Sequence, residues 1–81
     1  MKQSECLGVN QQGHLTIGGC DTVLLAEQYG TPLYVMDEEG IRAACRSYRS
    51  SIDRFYGGRG MVCYASKAFC CKEICRIMDA E

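Results

Sequence analysis

An α/β fold is what this 81-residue sequence predicts, on three observations. Stretches rich in β-formers recur at 14–18, 33–36 and 61–65. A stretch with helical spacing follows each of them, and glycines or the single proline stand at the joints. The last apolar stretch, Met61 to Ala65, shows no polar alternation, as expected of a strand covered on both faces in a parallel sheet. A strand of that kind needs neighbours, so the pattern reads as the opening of a larger α/β domain cut after its first βα unit.

Residues 1–13 are polar and read as loop or a frayed end. His14-Leu15-Thr16-Ile17-Gly18 alternates, which suits a short strand with one wet face, closed by Gly18-Gly19. Asp21 is placed to cap a helix over Thr22 to Tyr29, Gly30 stands where a helix-ending glycine belongs, and Thr31-Pro32 blocks continuation. Leu33-Tyr34-Val35-Met36 reads as a second strand.

Asp37 then caps the longest helix, with Glu38 and Glu39 favouring its positive end. Ile41, Cys45, Tyr48, Ile52 and Phe55 form its apolar stripe. Arg42, Arg46 and Arg49 share another face and read as a solvated, ion-paired surface, since Glu38 and Asp53 stand four residues from Arg42 and Arg49. Gly57-Gly58-Arg59-Gly60 follows a helix and precedes a strand, the reverse of a phosphate loop, so it reads as a flexible connection. A last helix begins near Cys70 or Cys71, with Cys71, Ile74, Cys75 and Met78 on one face.

Composition narrows the function. The formal net charge of −1 argues against a nucleic-acid partner, which needs a basic surface. No window is apolar enough for a membrane span, and MKQSECLGVNQQG lacks the core of a signal peptide, so the expected location is the cytoplasm. The seven cysteines contain no C-x-x-C pair, and the only histidine, His14, is far from the Cys70, Cys71 and Cys75 cluster. Reduced thiols serving as small apolar residues are the expectation, with no metal site.

Lys67 is the candidate functional residue. It ends the apolar stretch MVCYASKAF, and residues at the C-terminal ends of barrel strands face the active site. A lone lysine in that place is suited to imine formation with an aldehyde, such as that of pyridoxal phosphate. The competing reading is that a strand-end lysine marks only where the chain meets water.

The segment GTPLYVMDEEGIRAACRSYR, followed after a glycine-rich break by VCYASKAF, resembles the N-terminal region of the diaminopimelate decarboxylases. These are fold-type III pyridoxal-phosphate enzymes related to the ornithine and arginine decarboxylases. HLTIGGCDTVLLAEQYG is similar to the strand and helix that open the family, and YASKA to its Y-A-x-K-A motif. The resemblance implies a (β/α)8 barrel of TIM type, begun here and truncated, preceded by a strand–helix–strand segment of the accompanying β-domain. Residues 1–36 would be that segment with its linker strand, including Pro32 to Val35, and 37–81 the first helix, first barrel strand and start of the next helix.

The resemblance further implies pyridoxal 5′-phosphate as cofactor, Lys67 as the Schiff-base lysine, and Ala65 beside the cofactor ring. Tyr64 would point toward the helices as a structural residue, and Phe69 stands where the family commonly has asparagine. The implied reaction is decarboxylation of meso-2,6-diaminopimelate to L-lysine and carbon dioxide, in a homodimeric parent enzyme. A full barrel takes about 250 residues, so the chain alone is expected to be inactive. The residues that would hold the phosphate, the pyridine nitrogen and the substrate are not among those matched. Another basic amino acid as substrate, or a non-catalytic α/β remnant or binding module, are the alternatives.

Overall fold

The computed structural model describes residues 6–67 and 69–81. It shows a small α/β protein with a three-stranded antiparallel sheet and three helices among the described residues. The chain divides into two compact units, residues 1–40 and 41–81.

The first unit opens with an antiparallel meander of β1 (Leu7–Val9), β2 (Leu15–Ile17) and β3 (Cys20–Asp21). Of the loop predicted over 1–13, residues 1–5 lie outside the described residues, and the remainder corrects the expectation: Leu7, Gly8 and Val9 pair with Ile17, Thr16 and Leu15. Three residues with a central glycine give no alternation to read, so only the partner reveals the strand. Gly8 suits that pairing, because a Cβ there would lie 2.9 Å from the Thr16 hydroxyl oxygen.

Asn10 builds the connection between β1 and β2. Its carbonyl accepts from Gly13 N at 3.0 Å, and its Oδ1 accepts from the backbone N–H groups of Gln12 at 3.0 Å and His14 at 2.9 Å. A side-chain amide imitating a backbone turn is what asparagine does at such positions. Gly18 and Gly19, with φ of 57° and 81°, form the two-residue turn that pairs Ile17 with Cys20. Left-handed backbone at both positions is the hairpin geometry that glycine favours.

Helix α1 (Thr22–Tyr29) forms as expected. Asp21 Oδ1 accepts from Val23 N at 2.8 Å and Leu24 N at 3.3 Å, and Gly30, at φ 83°, ends the helix by donating to the Ala26 carbonyl at 2.8 Å. Thr22 Oγ1 donates to the Leu15 carbonyl at 2.8 Å, fastening the first turn to β2. The strand expected at 33–36 does not form. These residues are irregular and pair with no strand, and Tyr34 is 94% exposed. Apolar β-formers make a strand only when a ladder satisfies their backbone groups. With α1, they instead border an open hollow of about 270 Å³ lined by Leu25, Tyr29 and residues 33–36.

Helix α2 (Glu38–Tyr56) begins within the first unit and runs through the second. Glu38 and Glu39 occupy its first turn and Arg54 its last, each suited to the helix dipole. Of the expected stripe, Ile41, Cys45 and Ile52 are half-buried, whereas Tyr48 and Phe55 are exposed. The glycine run ends the helix with defined geometry. Gly57 and Gly58 are left-handed, at φ 61° and 79°, and Gly58 N donates back to the Ile52 carbonyl at 3.2 Å. Gly60 then passes so near Ile52 that a Cβ would lie 3.2 Å from its Cγ2.

Met61 to Ala65 also departs from expectation. No strand forms there, and Met61 is 83% exposed. The apolar run predicts burial between neighbours, but no described segment pairs with it. Helix α3 (Lys72–Ala80) follows with Cys71 at its N-cap. Its buried residues are Ile74 and Ile77, at 5% and 3% exposure, and these are the only buried residues among those described. Cys71 and Cys75, expected on that face, are exposed.

Side chains tie the end of α3 to α2. Glu81 accepts from Arg42 Nη1 at 3.0 Å, and from Arg46 Nε and Nη2 at 3.0 Å each. The Arg46 and Arg42 guanidinium groups hold its carboxyl below the usual carboxylate range. The Cys45 thiol donates to Met78 Sδ at 3.3 Å. Glu73 pairs with Arg76 along α3, and that guanidinium lowers its pKa too.

Candidate functional site

Two places concentrate polar chemistry, the loop of Lys67 and the cluster at Asp21. Lys67 follows the irregular residues 61–65 and lies in a turn with Ser66. Ala65, Ser66 and Lys67 are all exposed. The last residue of the YASKA motif, Ala68, lies outside the described residues. Lys67 makes no hydrogen bond or ion pair among the described residues.

Tyr64 organises this loop. Its hydroxyl donates to the Phe69 carbonyl at 2.5 Å, bridging the ends of the segment that carries Lys67. Sequence reading gave Tyr64 a structural role but missed this bond, since a spacing of five in irregular chain has no periodic signature. Tyr64 also lines a groove of about 610 Å³ with Ile41, Cys45, Tyr48, Met61 and Met78. Lys67 and Ala65 do not line it, so the two candidate residues lie together on the loop and outside the groove.

The cluster in the first unit has no counterpart in the sequence reading. Asp21 Oδ2 accepts from Asn10 Nδ2 at 2.8 Å and lies 2.8 Å from His14 Nδ1, while Oδ1 caps α1. Hydrogen bonding by His14, then by Asn10 and the helix N–H groups, holds the Asp21 carboxyl below its ordinary value of 3.8. One carboxylate thus joins the β1–β2 connection to the start of α1. The cluster holds no nucleophile, and its geometry is that of a fastening.

A carboxyl held below its unfolded pKa contributes stability that is fully present above the unfolded value and is lost as pH falls through the folded one. The first unit is therefore expected to loosen below about pH 3.8, and Asp21→Asn should remove part of that acid sensitivity while weakening the unit at neutral pH. Amide exchange at Val23 and Leu24, measured against pH, reports it. Equal protection in both proteins at pH 7 would refute the fastening role.

Comparison with known proteins finds a likeness to decarboxylases. Diaminopimelate decarboxylases are among the relatives found. The chain is 44% identical over 73 residues to that of Synechocystis, covering 90% of this chain and 16% of the relative. It is 45% identical over 73 residues to that of Bacillus methanolicus, covering 90% and 17%, and 48% identical over 75 residues to that of Methanothermobacter thermautotrophicus, covering 90% and 17%. The resemblance read from the sequence is borne out, and the chain spans about a sixth of the length of these curated relatives. No family model and no solved structure matches the chain. Among the described residues, no helix is long and apolar enough to cross a membrane, and no group of three or more metal-binding side chains occurs.

Proposed function

We propose that this chain is the segment of a diaminopimelate decarboxylase that carries the cofactor lysine. The whole protein would convert meso-2,6-diaminopimelate to L-lysine and carbon dioxide, as a homodimer. The carrying observation is the 44–48% identity to diaminopimelate decarboxylases over nine-tenths of the chain. On this reading, residues 1–36 belong to the accompanying β-domain and its linker, and residues 37–81 open a (β/α)8 barrel whose further strands would flank 61–65.

Pyridoxal 5′-phosphate is the cofactor this reading requires, and Lys67 fits its attachment. The amine is exposed, follows the small residues Ala65 and Ser66, and has no competing partner among the described residues. When bound, the cofactor supplies an electron sink for loss of a carboxylate beside an amino group. Lys67 holds it through Nζ, Ala65 leaves room for its ring, and the Tyr64–Phe69 bond orients the loop. Once free of the cofactor, the Lys67 amine can move a proton at the reacting carbon. Phosphate grip and substrate recognition are assigned to other parts of the whole protein, because Lys67 is exposed and lines neither the hollow nor the groove described above.

Borohydride reduction of the cofactor-loaded whole protein, followed by tryptic mapping, tests the assignment. A label on Lys67 blocks cleavage there, so the pyridoxyl group is expected on a peptide spanning residues 60–72. A label on Lys72 would sink the assignment.

A further inference from the structure

Cys70 and Cys75 bring two thiols together beside the Lys67 loop. Their sulfurs lie 3.9 Å apart in a sulfur–sulfur hydrogen bond, and both residues are exposed. Cys70 stands in irregular chain just before α3, and Cys75 one turn into it, where its N–H donates to the Cys71 carbonyl at 3.1 Å. A disulfide is about 2.05 Å long, and Cys70, outside the helix, has the freedom to close the gap. Cys71 is nearer in sequence to Cys75 but holds the N-cap position with extended backbone, φ −151°.

We propose that Cys70 and Cys75 are a redox-responsive pair that closes to an intrachain disulfide when a small-molecule disulfide, such as oxidised glutathione, is the oxidant. Hydrogen bonding to Cys70, and then the charge of Cys70, raise the Cys75 pKa. Cys70, exposed and outside the helix, is the attacking group, which reacts as its thiolate, the nucleophilic form. It attacks one glutathione sulfur, forming a mixed disulfide and releasing one glutathione thiolate. Cys75 loses its proton to water, attacks the Cys70 sulfur and expels the second. Two protein thiols lose two electrons, and one glutathione disulfide becomes two glutathione thiols.

The bridge would fix Cys70, three residues after Lys67, to the first turn of α3. The Lys67 loop, already bridged by Tyr64 and Phe69, would then be anchored on its C-terminal side as well.

The test incubates the native 81-residue chain with oxidised glutathione, blocks free thiols with N-ethylmaleimide and maps tryptic peptides. Residues 68–72 linked to 73–76 are expected at least tenfold above any other cysteine pairing. Cys70→Ser should abolish that species and Cys71→Ser should leave it, and the preference should vanish in guanidinium chloride. Pairings spread over the seven cysteines, a link surviving Cys70→Ser, or glutathione adducts without an internal bridge would each overturn the proposal.

Discussion

Ile77→Ala is expected to lower the stability of the second unit by about 2–4 kcal/mol, in the range of large-to-small changes at buried aliphatic sites. Ile77 is 3% exposed and shares the buried position only with Ile74 among the described residues. Small domains are stable by roughly 0.05–0.15 kcal/mol per residue, so this loss is a large part of what holds residues 41–81 together. Ile74→Val, which removes one methylene, should cost about 0.5–1.5 kcal/mol. Tyr34→Ala, at an exposed residue of the first unit, should stay within about 0.5 kcal/mol. Urea unfolding followed by helical circular dichroism ranks the three. An Ile77→Ala midpoint equal to that of Tyr34→Ala would show that α3 has no such role.

The same residue shows where sequence reading reached its limit. Counting thiols as apolar put the inner face of α3 on Cys71, Ile74, Cys75 and Met78; the buried face instead contains Ile74 and Ile77, with both thiols exposed. Helices were otherwise legible, because a cap such as Asp21 and a stop such as Gly30 act within a few residues of chain. Strands were not. Residues 33–36 and 61–65 have the composition of strands, but a strand exists through its partner, and no composition names that partner. β1 is the converse, a pairing that composition does not announce. Asp21 carried two signals, of which only the cap could be read; its bonds to Asn10 and His14 span 11 and 7 residues of chain. The motif singles out Lys67 as a candidate, but its loop geometry could not be read from the sequence.

The 81-residue chain by itself is expected neither to retain pyridoxal phosphate nor to decarboxylate diaminopimelate. An imine to an exposed lysine forms and hydrolyses freely in water. Durable binding needs the phosphate held by backbone N–H groups and the ring paired with protein groups. Lys67 is exposed and lines neither cavity, so nothing described around it excludes water or grips an anion. Met61, Val62 and Tyr64 are exposed apolar side chains on the segment leading to it, and such surface favours association over a closed site. The whole protein should behave differently. There, Lys67→Ala is expected to remove the visible absorbance of the lysine-bound cofactor, and to lower decarboxylation about 10²–10⁴-fold, the usual range for a lost acid–base group. Visible absorbance and carbon dioxide release measure the two effects separately. A stoichiometric absorbance band that stays with the monomeric 81-residue chain, and disappears in its Lys67→Ala variant, would show that these residues alone build the site.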